Sequence, residues 1–130
     1  MPPRLHHVGV IMPTEEEAAE YAALFGLEED YRGEVPEFEC LCIFMKGHGA
    51  SPVELVVPRG GPLARFNRGF GGLHHYALQV DSLDAVRDAL LAKEIPMLQP
   101  EHVKGAGPFL CNFVDPRFTR GVLTEYIQVF

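Results

Sequence analysis

No apolar run in this sequence approaches the roughly 20 residues of a membrane span, and the opening Met1-Pro2-Pro3-Arg4 leads directly into a strand-like run without the apolar core of a signal peptide. The expectation is a mature cytoplasmic chain that does not engage a membrane. Basic residues are few: 11 Lys and Arg against 18 Asp and Glu give a formal net charge of −7. Apart from a loose group at Arg59, Arg65 and Arg68 they are scattered. This excludes a general nucleic-acid binder, because phosphate contacts need clustered cations. Paired cysteines are missing too. Cys40, Cys42 and Cys111 form no CxxC motif and sit inside apolar, strand-like runs; they read as buried free thiols rather than as zinc ligands or a redox couple.

What is present suits one globular domain, residues 1–130. The composition, 47% hydrophobic and 22% charged, is ordinary for such a domain, and a chain of 130 residues buries about two-thirds of the surface its unfolded form exposes. The informative feature is a repetition. Leu5-His6-His7-Val8 recurs as Leu73-His74-His75-Tyr76, at an offset of 68 (75 − 7), and each copy heads an apolar run followed by a charged helical stretch. A repeated histidine at the head of a repeated strand suggests a symmetric site, assembled where two like halves pack face to face around one cavity.

Pattern and punctuation supply the elements. Residues 4–12 form a strand. Thr14 caps a helix with Glu15, Glu16 and Glu17 in its first turn and Ala18, Tyr21, Ala22 and Phe25 on one face, ending at Gly26. A short edge strand at 28–32, a longer strand at 38–46, a turn at 47–49 and a strand at 52–57 complete the first module, about residues 4–58. Residues 59–71 are a linker, with a helical turn at 63–67. The second module, about 72–130, repeats the order: a strand at 73–80, a helix from the Ser82 cap through Lys93 with an apolar stripe of Leu83, Val86, Leu90 and Leu91, an edge strand at 95–98, and strands at 108–114 and 122–129. Two βαβββ modules with curved antiparallel sheets predict an α+β fold enclosing a cleft.

Strand alternation allows only one histidine of each pair to face that cleft, and the pattern alone does not choose between them. The last strand of each half carries one acid, Glu54 in Val53-Glu54-Leu55-Val56 and Glu125 in Thr124-Glu125-Tyr126-Ile127, at an offset of 71 (125 − 54). A carboxylate in an apolar strand is costly unless its burial is compensated, and a metal would compensate it. Two histidines and two glutamates related by a repeat make a four-ligand set for a divalent first-row ion: zinc, cobalt, nickel, manganese or iron. The other histidine of each pair, His6 and His74, is expected to face outward or to orient a ligand. His48 and His102, in loop-like stretches, are expected in solvent.

These residues, with Pro62-Leu63-Ala64-Arg65-Phe66, Gly72-Leu73-His74-His75, Gly105-Ala106-Gly107 and Gly121-Val122-Leu123, resemble the vicinal oxygen chelate, or glyoxalase/bleomycin resistance/dioxygenase, superfamily nearly end to end, and within it the methylmalonyl-CoA epimerases. The resemblance implies the glyoxalase fold around a metal-binding cleft. It also implies His7, Glu54, His75 and Glu125 as metal ligands, and Glu37 and Glu125 as the two catalytic bases of an epimerase that removes a proton next to a carbonyl through a metal-stabilised enolate. Each base would need a pKa raised toward neutrality. A homodimer acting on a small molecule such as an acyl-CoA is expected.

The pattern departs from that group at Pro108-Phe109-Leu110 and at Asp115-Pro116-Arg117-Phe118, which bring bulk toward the expected substrate mouth. Phe38, Tyr76, Phe109, Phe113 and Tyr126 would then line the cavity with rings. Two alternatives accompany the epimerase reading. One is a glyoxalase-I-like lyase or another metalloenzyme of the same fold acting on a different, aromatic small molecule; the other is a metal-free binding or resistance protein.

Overall fold

The computed structural model describes residues 2–46 and 49–130; the expected turn at 47–49 and the expected solvent position of His48 therefore fall largely outside the described residues. In chain order the first half comprises β1 (Arg4–Ile11), α1 (Glu15–Phe25), β2 (Glu28–Val35), β3 (Cys40–Lys46) and β4 (Val53–Pro58). A short helix α2 (Gly61–Ala64) leads to the second half: β5 (Gly72–Gln79), α3 (Leu83–Leu91), β6 (Val103–Lys104), β7 (Phe109–Phe113) and β8 (Thr124–Val129).

All eight strands form one sheet in the order β2-β3-β4-β1-β5-β8-β7-β6. The halves therefore do not pack face to face as expected. They meet edge to edge, because β1 and β5 pair antiparallel at the middle of the sheet. Each of these strands is flanked on its other side by a parallel partner, β4 beside β1 and β8 beside β5. The apolar core accordingly lies on two faces. Alternation along β3 sends Cys40, Cys42 and Phe44 to the inner cluster and Leu41, Ile43 and Met45 to the outer one, where Ala18 and Ala22 of α1 cover them. The fold is the α+β arrangement of a curled sheet with few helices.

The helices start where their caps require. The Thr14 side chain accepts from Glu17 N at 3.1 Å, Ser82 accepts from Ala85 N at 3.1 Å, and Gly26 closes α1 in the left-handed region at φ 67°. Phe25, expected on the buried face of α1, is half exposed and lies against Tyr21 with ring centroids 4.8 Å apart. No helix among the described residues is long and apolar enough to cross a membrane.

Several boundaries differ from the sequence reading, and the differences shape the site. β2 continues to Val35, and residues 36–38 form a 3-10 turn rather than the start of a strand, since Pro36 sits at its first position and Glu39 closes it in the left-handed region. The edge strand expected at 95–98 is reduced to a single bridge between Met97 and Val114; the true edge strand is β6. Pro96 and Pro100 cannot donate to a ladder; two backbone bonds flank the bridge, Leu98 N to Phe113 O at 2.8 Å and Asp115 N to Pro96 O at 3.1 Å, and beyond it a side chain ties the segment down. Buried Asn112 accepts from Gln99 N at 3.2 Å and donates to Gln99 O at 3.1 Å and to His102 Nδ1 at 3.1 Å. His102, expected in solvent, is thereby held with its side chain only 11% exposed, its Nε2 donating to Asp84 at 2.9 Å. Replacing Asn112 with Ala strips the partners from this segment together, and urea denaturation should show a loss of about 2 kcal/mol or more.

Candidate metal centre

The four central strands, β4-β1-β5-β8, bring Glu54, His7, His75 and Glu125 together on the inner face, and on β5 His74 reaches the same cavity as His75, against the expectation that only one histidine of the pair would face it. The register explains how they meet. Gly9 of β1 lies between Glu54 and His75, and Ala77 of β5 lies between His7 and Glu125. Gly9 and Ala77 are themselves related by the offset of the two histidines (77 − 9 against 75 − 7), so the repeat supplies the spacers as well as the ligands. A side chain on either spacer would stand among the four functional groups. At Gly9 a methyl would overlap the His75 ring.

The functional atoms converge tightly. His7 Nε2 is 2.9 Å from Glu125 Oε1 and 3.5 Å from Glu54 Oε1; His75 Nε2 is 3.2 Å and 3.3 Å from the same two oxygens. The two Nε2 atoms are 3.3 Å apart. A cation with ligand bonds of about 2.1 Å separates its ligand atoms by about 3.0 Å in an octahedron and about 3.4 Å in a tetrahedron, and the observed spacings fall close to that interval. His7, His75 and Glu125 each bring a ligand atom within 4.8 Å of the others. Glu125 Oε1 has close nitrogen neighbours, yet no N–H is aimed at it. It is the buried side-chain oxygen left without a hydrogen bond among the described residues, which is where a positive ion fits.

The outer histidines orient the inner ones. His6 Nδ1 lies 2.8 Å from His7 Nδ1, and His74 Nδ1 lies 2.7 Å from His75 Nδ1. Burial and the neighbouring histidine lower both His6 and His74, His74 to about 4, so both are neutral near pH 7. A neutral ring can accept from the Nδ1–H of its neighbour, which turns that neighbour's Nε2 toward the acids. This is the orienting role expected for His6 and His74. The acids set the field. Burial alone would lower His75, but the close carboxylates of Glu125 and Glu54 outweigh it and raise His75 to about 10. Glu125 moves the opposite way. Burial favours its neutral form, yet His75 and His7 hold it well below the usual carboxylate range. The raised value expected for Glu125 as a base is therefore not found in the metal-free protein, because its histidine neighbours keep it ionised.

A cavity of about 330 Å³ opens over these groups. Phe38, Phe109 and Phe113 line it, as expected, whereas Tyr76 and Tyr126 do not: each follows an inward residue, His75 or Glu125, and alternation turns it to the other face. Phe118 is half exposed on a 3-10 turn and is likewise absent from the lining. Glu37, exposed on the turn before β3, does line the cavity.

Among known proteins, the family model of the Glyoxalase/Bleomycin resistance protein/Dioxygenase superfamily matches residues 6–113. The chain belongs to this superfamily. It is 32% identical to the mitochondrial methylmalonyl-CoA epimerase of Homo sapiens, covering 96% of this chain and 73% of that protein. It is 31% identical to the ethylmalonyl-CoA/methylmalonyl-CoA epimerase of Cereibacter sphaeroides, covering 97% and 98%. A variant of the Streptomyces coelicolor methylmalonyl-CoA epimerase, solved with 2-nitronate-propionyl-CoA, superposes with a TM-score of 0.84 at 25% identity, covering 97% of this chain and 96% of that one.

This superfamily member also carries lining residues that sequence reasoning did not assign to the cavity: Cys40, Cys42, Cys111, Glu39, Leu63 and Leu98. A signal for the thiols existed. Cys40 and Cys42 share a face of one strand, and Cys111 stands to Cys40 at the offset that relates the two acids (111 − 40 against 125 − 54). Nothing in the pattern marked Glu39.

Two outcomes follow from the geometry. Gly9→Ala, which removes no ligand, should displace His75 and weaken zinc or cobalt binding at least tenfold in a competition titration. In metal-free protein the raised His75 contributes stability that is complete below its unfolded value of about 6.5 and lost as pH rises through about 10. The melting temperature measured with a chelator should therefore fall across that window, while saturating metal removes the fall.

Proposed function

We propose that the protein is a metal-dependent epimerase of branched acyl-CoA thioesters, inverting the carbon next to the thioester carbonyl. The carrying observation is the placement of two acids on one cavity: Glu125 at its buried floor beside both histidines, and Glu37 on the exposed turn that borders it. The named epimerase relatives support the reaction type, and methylmalonyl-CoA, the substrate in their names, is the first thioester to test.

In this reading His7, Glu54, His75 and Glu125 hold a divalent first-row ion, the donor set suiting zinc, cobalt, nickel, manganese or iron. When bound, the ion supplies positive charge beside the thioester carbonyl oxygen, where negative charge develops. The chain's residues handle the proton. Glu37, ionised, takes the α-proton from one face and the C–H electron pair moves into the carbonyl to give an enolate; Glu125, which must enter the step carrying a proton taken up from solvent, gives that proton to the opposite face and is left as the carboxylate, and the roles reverse for the other enantiomer. The apolar walls exclude water from the carbanionic carbon. His6 and His74 are positioning residues that keep Nε2 of their neighbours turned inward. The working form is a homodimer, for which the exposed Leu5, Leu73 and Tyr76 along the β1–β5 junction offer apolar surface.

The test is exchange of the α-proton into deuterated water, followed by NMR over a panel of branched acyl-CoA thioesters, with metal content measured in parallel. Glu37→Gln should keep the metal and lose exchange by about 10²-fold or more; His75→Ala should lose the metal as well. Full activity of Glu37→Gln would remove Glu37 from the mechanism, and absence of metal-dependent exchange with every thioester would remove the function.

A further inference from the structure

One polar side chain in the cavity wall has no part in the proton chemistry or the metal site. Gln99 carries the only carboxamide among the described residues that line the cavity, in a wall that Leu63, Leu98, Phe109 and Phe113 make largely apolar. The bonds that Gln99 makes run through its backbone: its N–H donates to Asn112 Oδ1 at 3.2 Å, and its carbonyl accepts from Asn112 Nδ2 at 3.1 Å. Among the described residues no group takes its side-chain amide. A half-buried carboxamide in such a wall is left for solvent or for a ligand.

The position of that amide is set from the outside of the sheet. Asn112 alternates with the inward Cys111 and Phe113, so its side chain lies behind the wall and grips Gln99 from there. Asn112 is fixed in turn, its Oδ1 also accepting from Phe113 N at 2.9 Å and its Nδ2 also donating to His102 Nδ1 at 3.1 Å. On one side of Gln99 the Leu98 N–H is bonded to Phe113 O at 2.8 Å, and on the other Pro100 restricts the chain. The backbone is therefore anchored while the side chain stays free. Leu98 is 46% exposed, against 5% for Glu54 and Glu125, which places this segment at the opening and the acids at the floor.

We infer that Gln99 is a substrate-binding residue that recognises a secondary amide in the pantetheine arm of the acyl thioester. The inference rests on the acyl-CoA reading above. A cavity of about 330 Å³ is at the small end of those that enclose a whole ligand, so it takes the acyl group and the adjoining arm and leaves the nucleotide outside. With the thioester carbonyl at the floor, the arm leaves through the opening, where Gln99 stands. Each amide of the arm has one N–H and one C=O, and a carboxamide side chain offers an acceptor and a donor side by side to match them. A carboxylate or phosphate would use the donors alone and face the amide oxygen with negative charge. The methylenes between the amides suit Leu63 and Leu98.

The experiment uses the metal-loaded full chain with methylmalonyl thioesters of three thiols: ethanethiol, which has no amide, N-acetylcysteamine, which has one, and pantetheine, which has two. KM and kcat come from α-proton exchange above the uncatalysed rate. In the wild type, KM should fall about tenfold on adding the amides, the worth of a pair of neutral hydrogen bonds. Gln99→Met, of similar length, and Gln99→Leu should each lose that gain with kcat unchanged, the mark of lost ground-state binding. With the ethanethiol thioester both variants should match the wild type, which also shows that the fold and the metal site are intact. A wild-type KM that does not fall on adding the amides, a gain that survives in either variant, or an equal loss with the ethanethiol thioester overturns the inference alone. Absence of exchange with all three thioesters overturns the proposed function and the inference with it.

Discussion

The structure depends on one electrostatic constraint: two carboxylates and two imidazoles are buried together at the centre of the sheet, each imidazole within 2.9 to 3.5 Å of both carboxylates. Buried acids need compensation, and the protein on its own compensates them by holding a proton on His75. That is why His75 is raised while Glu125 is lowered. A divalent ion can replace the proton and satisfy Glu125 Oε1 at the same time. The arrangement is tolerated because the surrounding strands are otherwise apolar and because Gly9 and Ala77 leave space between the ligands.

The rest of the fold follows from bringing those groups to one place. Parallel pairing of β1 with β4 and of β5 with β8 sets each acid beside a small spacer, Glu54 beside Gly9 and Glu125 beside Ala77, and the antiparallel β1–β5 junction sets the histidine of the other half across that spacer. The outer strands close the cavity. Cys40 and Cys42 of β3, with Sγ atoms 3.7 Å apart, and Cys111 of β7 form part of its wall. A hydrogen bond with Cys40 and burial raise Cys42, and burial with the neighbouring Glu125 raises Cys111. Cys42 and Cys111 remain protonated, and the three side chains act as compact apolar lining beside the acids.

The two halves agree at the floor of the cavity and differ at its rim. At the floor, the histidines with their neighbours and small spacers recur at one offset, and the acids recur at another only slightly longer. At the rim, the first half presents the acidic turn of Glu37 and Glu39, whereas the second presents the Gly105-Ala106-Gly107 turn and Phe109. Common chemistry at the base with asymmetric walls suits a reaction that treats the two faces of one carbon differently while holding the carbonyl in a fixed place.

The sequence by itself determined the duplicated plan, the capped helices and the four candidate ligands, and through the family resemblance it singled out His7, His75 and Glu37. These were legible because they are carried by local periodicity and by residue identity at repeated offsets. The tertiary structure alone decided how the halves join, that residues 95–98 keep only one bridge while Asn112 holds Gln99 and His102, that Tyr76, Tyr126 and Phe118 stay out of the cavity, and that Glu39 borders it. Those outcomes depend on which strand edge pairs with which, on where a turn bends the chain, and on the room left by residues distant in sequence, such as Gly61 beside Glu39. The direction of the Glu125 shift belongs to the same class, since a carboxylate's protonation is set by charges that only the assembled sheet brings within reach.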